Sequence, residues 1–436
     1  MRSCDLIVSA GQVLPVAPQN ESYRDYAVAV AAGQIVAVGE MAQIRAEYQA
    51  LEDVHLAHHI LLPGLVNAHG HAPMALLRGS GEDQSLQAWL TETIWPLETR
   101  LMSEDYVALG AELAMAEMLH SGTTTFSDMY FFPHIVANCA ATIGMRCQIA
   151  FPVFEMANAW SESAEDGLHK GINLYNLYRH HSLVTVAFGP HAPYTVSLEN
   201  LERVAMYANE LDAGIQIHLH ENAQEVADAK RDHQMSYIAK LAERGLLTPN
   251  VQAVHMTQLE PGDMALFADS GASVVHCPSS NLKLSSGYCD ISAYAKQGIR
   301  IGLGTDGAAS NNRLDMFKEI HTAALLAKHE TADPRMGNAH DMLHMATLGS
   351  AQAMGMGDTI GSLEPGKAAD FIAIDTMHVD MQPLHNAFAA LIHGNCGSHV
   401  DQVWIAGQRQ MADGKLLNIE TADLLERVHA WQQTHF

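Results

Sequence analysis

Ile60-Leu61-Leu62-Pro63-Gly64-Leu65-Val66-Asn67-Ala68-His69-Gly70-His71 reads as a buried strand that ends in two histidines. Residues two apart on a strand share a face, so His69 and His71 point the same way. Two neutral imidazoles converging on one point make half of a site for zinc or a similar ion. The apolar run ahead of them predicts a strand that holds both rings rigidly. With 26 histidines in 436 residues, one His-x-His carries little alone. It gains meaning only if further ligands stand at other strand ends.

They do. Short apolar segments at 61–67, 123–127, 146–151, 184–188, 214–218, 251–255, 273–276 and 301–305 read as strands. Helix-like stretches separate them, among them 105–119, 198–211 and 315–327. Such alternation predicts an α/β fold, a (β/α)₈ TIM barrel, over residues 61–360. A doubly wound open sheet is the rival, but no Gly-x-Gly-x-x-Gly follows a strand. Both chain ends are β-rich instead, so 1–60 and 361–436 are expected to pair into one small β-sandwich domain. In such barrels the site lies at the C-terminal ends of the strands. There stand His69 and His71 (strand one), His218 (five), His255 (six) and Asp306 (eight). Each alone reads equally well as a satisfied core residue. Three of these histidines and the aspartate match three nitrogens and one oxygen around zinc or ferrous iron, with a position left for water.

Composition narrows the partners. Hydrophobic residues at 48% and charged ones at 17% describe a globular chain. A formal charge of −25 argues against a nucleic-acid partner and against anionic membranes. No run approaches a membrane span, and no signal peptide is visible. The six cysteines are scattered without Cys-x-x-Cys. That fits reduced thiols in a cytoplasmic protein, and leaves no cysteine-bound zinc of the cytidine-deaminase kind. Oligomeric state is not encoded in any motif, and a homo-oligomer stays open.

The assembled pieces resemble the amidohydrolase superfamily, in its mononuclear aminohydrolase branch, over nearly the whole chain. The matching segments are Pro63 to His71, Gly122-Thr123-Thr124-Thr125, His218-Leu219-His220-Glu221, His255, Gly304-Thr305-Asp306, and Leu363 to Asp370. The likeness implies one divalent metal, zinc before ferrous iron, on His69, His71, His218 and Asp306. It makes Glu221 the proton shuttle and has His255 orient the attacking water. The bland reading of Glu221 is a solvated glutamate in a helix's first turn. His218 is preferred over His220 because the family pattern is His-x-x-Glu. Binuclear members bridge two metals with a lysine at the end of strand four, and no lysine occurs from Gly171 to Ala229.

Within the superfamily the chain resembles the methylthioadenosine/S-adenosylhomocysteine deaminases. Trp95-Pro96-Leu97-Glu98, Gly189-Pro190-His191-Ala192-Pro193-Tyr194 and His276-Cys277-Pro278-Ser279-Ser280-Asn281 carry that likeness. It implies that Glu98 binds ribose hydroxyls and His191 contacts the nucleoside. The bland readings are a surface Glu98 paired with Arg100 and a His191 that caps its loop. The implied reaction is hydrolytic deamination of adenosine, 5′-methylthioadenosine or S-adenosylhomocysteine at C6. A metal-held hydroxide attacks, Glu221 protonates ring N1, and Asp306 serves as a further base. Some members carry a substrate-binding arginine near the end of strand three. Here Arg146 stands at the other end of that strand, which favours an apolar 5′ substituent over a charged one. The rivals are a guanine, pterin or triazine hydrolase of the same branch, or a non-catalytic scaffold that would have lost its ligands.

Overall fold

Gly64 divides the apolar run in two. In the computed structural model, which describes residues 1–436, Tyr48–Pro63 is a strand of one sheet and Leu65–Asn67 a strand of another. A Cβ at Gly64 would lie 2.1 Å from Thr124 Oγ1, so only glycine lets the chain pass between the layers here. The expected single strand 61–67 is therefore corrected to two. Its hydrophobicity is continuous because residues on both sides of Gly64 are buried.

The barrel strands follow in chain order: Leu65–Asn67, Thr123–Asp128, Arg146–Val153, Val184–Pro190, Ile215–Leu219, Val251–His255, Ser273–His276 and Arg300–Leu303. All neighbours run parallel. Closure comes from Ala68 N–H donating to the Leu303 carbonyl at 2.9 Å and Asp306 N–H to the His69 carbonyl at 3.0 Å. The last strand ends at Leu303, two residues before the sequence pattern suggests, because Thr305 and Asp306 have already turned toward the mouth. The expected helices are present as Glu104–His120, Leu198–Glu210 and Met316–Thr331. Each starts on a capping side chain, Ser103, Ser197 or Asp315, which accepts an N–H of its first turn.

The chain ends build a separate eight-stranded mixed sheet. Its centre is Tyr48–Pro63, parallel to Arg2–Val13 on one side and antiparallel to Phe371–Asp375 on the other. The sheet's two wings meet at their turns: the Ala32-Gly33 turn has φ of 50° and 77°, and a Cβ on Gly33 would meet the Ala406 carbonyl at 2.8 Å. Val8, Val30, Phe371 and Trp404 fill the space between the wings. The C-terminal helix Thr421–His435 leaves this sheet and packs on Glu104–His120, with Tyr106 and Trp431 rings 5.7 Å apart. No helix is long and apolar enough to cross a membrane.

Arg146 opens strand three at the end away from the site. Its guanidinium forks onto Asp370 (2.6 and 3.0 Å) and reaches the Ser182 carbonyl at 2.8 Å. Asp370 also accepts Ala406 N–H at 2.7 Å, so one buried ion pair bolts the barrel to the small sheet. Removing one partner of such a pair strands a buried charge. Arg146→Ala is therefore expected to lower stability by about 3 kcal/mol, seen as a lower urea midpoint. An unchanged midpoint would refute the bolt.

Candidate active site

Four imidazoles and a carboxylate meet at the mouth of the barrel. Every one of the four rings has its Nδ1 taken by an oxygen. His69 bonds Gln216 Oε1 (2.8 Å), His71 the Met129 carbonyl (2.5 Å), His218 the His191 carbonyl (2.7 Å) and His255 Asn281 Oδ1 (2.8 Å). Oxygen acceptors fix the proton on Nδ1 and leave the Nε2 lone pairs facing inward. Those Nε2 atoms converge. His69 and His218 are 3.2 Å apart, and Asp306 Oδ1 lies 3.2 Å from His71 and 3.5 Å from His69. His255 joins His69 and His218 within the same few ångströms. Lone pairs and a carboxylate turned on one point repel unless a cation lies among them. The donor set is that of zinc or ferrous iron.

The backbone is arranged for this convergence. His220, His255 and Asp306 all adopt left-handed φ, of 51°, 76° and 59°. Such conformations are uncommon for residues other than glycine, and they gather at functional sites. At His220 the turn breaks the strand's alternation. His218 faces the cluster, whereas His220 is directed to the Gln258 carbonyl (2.9 Å) and toward Asp263.

Electrostatics separate the two carboxyl groups. Burial would raise Asp306, but the His69 and His71 rings outweigh it and hold it well below the ordinary range. Glu221 has the opposite fate: burial, then the charge of Asp306, push it up to about 8. One carboxylate stays ionised beside a carboxylic acid that carries a proton at neutral pH, the pattern of an acid–base pair. Ser286 Oγ donates to Glu221 Oε1 at 3.2 Å, and Glu221 Oε2 lies 3.7 Å from His255 Nε2. Glu221 is 6% exposed and precedes the helix whose cap is Asn222, so it is not a solvated first-turn charge.

Above the cluster lies a cavity of about 370 Å³. Its wall is largely apolar, with Trp89, Met102, Met129, Phe131, Phe154 and Leu284. Glu98 and His191 both line it. Glu98 is buried against Tyr130, whose hydroxyl donates to it at 2.7 Å. Burial lifts its carboxyl to about 7. Arg100 is not its partner; that guanidinium sits over the Phe436 ring, 5.5 Å from its centre. His191 is held neutral by burial and by the neighbouring histidines, which lower it to about 3. Its Nδ1 meets Thr195 Oγ1 at 3.0 Å and its ring stacks on Phe154.

The amidohydrolase family matches over residues 60–410. The chain belongs to the amidohydrolase family. It is a metal-dependent hydrolytic enzyme, as that membership and the donor set together require. A protein named 5-methylthioadenosine/S-adenosylhomocysteine deaminase from Teredinibacter turnerae is 44% identical over 429 residues, 98% of this chain and 97% of that one. A similarly named protein from Saccharophagus degradans is also 44% identical, over 98% and 96%. Among solved structures, an adenosine deaminase from Xanthomonas campestris with bound zinc superposes with a TM-score of 0.98 at 41% identity, covering 100% of this chain and 99% of that one.

Other parts of this amidohydrolase's site carry no label in the sequence. Gln216 holds His69 and in turn donates to the Ala68 carbonyl, Ser127 and Gln252 (2.9, 3.0 and 3.0 Å). Its place two residues before His218 on a strand is the one available signal. Ser280 and Ser310 donate to Asp306 Oδ2 at 2.6 and 2.9 Å, and Asn67 clasps Thr305 through both its side-chain atoms. Ser280 and Asn281 fall inside the quoted 276–281 segment, but nothing local reveals which ligand each supports. Tyr130 and the apolar wall are likewise silent until the chain folds.

Proposed function

We propose that the enzyme hydrolytically deaminates adenine nucleosides at C6, giving the inosine-type product and ammonia. The observation that carries this reading is the buried Glu221 carboxyl at the floor of the same cavity that presents buried Glu98 on its wall. His69, His71, His218 and Asp306 would hold one divalent cation, which lowers the pKa of a bound water toward neutrality. No lysine stands near the end of strand four to bridge a second.

The remaining work falls to side chains. Glu221, protonated at rest, delivers that proton to ring N1 and then, as the carboxylate, takes one from the attacking water. The C6–O bond forms as the C6=N1 electron pair moves to N1. His255 and Asp306 hold the water's other hydrogen and fix its line of attack. Collapse of the tetrahedral adduct breaks C6–N, and the amino group leaves as ammonia with the proton that Asp306 or Glu221 returns. Glu98 accepts hydrogen bonds from the ribose diol, which a carboxylate with two oxygens suits. His191, neutral with Nε2 unengaged by protein, meets the nucleoside from the strand-four side. The cavity wall contains neither lysine nor arginine, so a negatively charged 5′ substituent has no partner there.

Ammonia release across a panel tests the reading. Adenosine and 5′-methylthioadenosine are expected to turn over, with free adenine at least about 100-fold poorer in kcat/KM for want of the Glu98 contact (about 3 kcal/mol of charge-assisted bonding). S-Adenosylhomocysteine is expected to fall below methylthioadenosine. Guanine or a chlorotriazine turning over faster than either nucleoside would sink the proposal.

A further inference from the structure

Glu225 is a buried carboxyl group, 6% exposed, whose bonds run to backbone N–H groups and to no cation. It sits at the third position of the helix Ala223–His233, whose cap Asn222 accepts Glu225 N–H at 2.9 Å. Asn-x-x-Glu is the pattern of a capping box, in which the glutamate turns back onto the cap's own N–H. Here it reaches past Asn222. Oε1 takes His220 N–H at 2.9 Å and Oε2 takes Glu221 N–H at 2.8 Å. Those two groups belong to the turn where His220 is left-handed, the turn that presents Glu221 to the cavity. Thr257 Oγ1 grips the same turn from the other side, donating to the Glu221 carbonyl at 2.6 Å. A buried carboxyl is costly unless it is hydrogen-bonded, and both oxygens of Glu225 bond to this turn. A helix cap would need neither this burial nor this reach.

We propose that Glu225 is a positioning residue for the deamination: it clamps the His220–Glu221 turn and so aims the Glu221 carboxyl at the substrate's ring nitrogen. The inference rests on the reading of Glu221 as proton shuttle. Glu225→Gln replaces one acceptor oxygen with an NH2 that confronts an N–H. With 5′-methylthioadenosine as substrate and rates expressed per bound metal, kcat is expected to fall about 100-fold, as a displacement of about 1 Å in a catalytic group can cause. KM is expected to stay within about 2-fold, since Glu225 does not line the cavity. In a Glu221→Gln background the same change is expected to lower kcat by less than about 2-fold, because no shuttle is left to misplace.

A purely structural role predicts the same loss in both backgrounds. Equal losses, or an unchanged kcat in the single variant, would overturn the inference. Glu225→Asp keeps the carboxyl but is too short to span both N–H groups. It enters the same cycle if the glutamine variant does not fold, with the same outcomes deciding. Near-normal turnover in Glu221→Gln alone is a different result: it removes the shuttle reading itself, and the clamp with it.

Discussion

Glu221→Gln is expected to lower kcat by about 10³-fold while the enzyme keeps its fold and its metal, within the 10²- to 10⁴-fold range of general acid–base catalysis. Glutamine has the shape of the protonated carboxyl and can still accept from Ser286, so the cavity floor should be unchanged. What it cannot do is take a proton from water and pass it on. Metal content is expected to stay at the wild-type level, because Glu221 is outside the converging donor set. The same variant carries a pH signature in the metal-free protein. The wild-type carboxyl titrates at about 8 when folded against an ordinary 4.5, so the folded state binds the extra proton. That contribution to stability is complete below 4.5 and is lost as pH rises through about 8. Glutamine does not titrate, so stability relative to wild type is expected to rise across this window. Urea midpoints at several pH values measure it, and a pH-independent difference would contradict the raised carboxyl. Turnover within a few-fold of wild type would contradict the shuttle.

Removing the divalent cation with a chelator is expected to abolish turnover, and zinc or ferrous iron to restore it. Reloading should depend steeply on pH. In the cation-free site burial works to lower His71, but the hydrogen bond and charge of Asp306 prevail and lift it to about 9. A cation must displace that proton. Apparent affinity is therefore expected to fall about tenfold for each pH unit below about 9, for each proton released. Calorimetry in buffers of different ionisation enthalpy counts the protons. Binding that is flat between about pH 6 and 8 would mean that His71 is not a ligand. Asp306→Asn should flatten the same profile while weakening binding, since the charge that holds the proton and the cation alike is gone.

Much of this site is legible before folding, and the reasons are local. The barrel strands are short apolar runs with polar residues where they end, and the mouth of a parallel barrel gathers strand ends by geometry alone. His69, His71, His218, His255 and Asp306 can thus be picked out without knowing a single contact. Gly64 shows where this reasoning falters. An apolar run looks the same whether one sheet or two bury it, and only the 2.1 Å approach of Thr124 reveals the divide. Glu98 shows it again, since Arg100 is a plausible partner two residues away until Tyr130 is seen to hold the carboxyl.

Residue type and strand periodicity therefore bring out the count of strands and the histidines and aspartate at their ends, while the resemblance to the family singles out His218 over His220 and the glutamate three residues after it. Packing between distant segments settles the rest. It turns His220 away through a left-handed φ, and raises Glu221 while it depresses Asp306. These are consequences of burial and of contacts made between segments far apart in the chain, as between His69 and Asp306. Burial and long-range partners decide pKa and side-chain direction, and neither is a property of a residue's immediate neighbours in sequence.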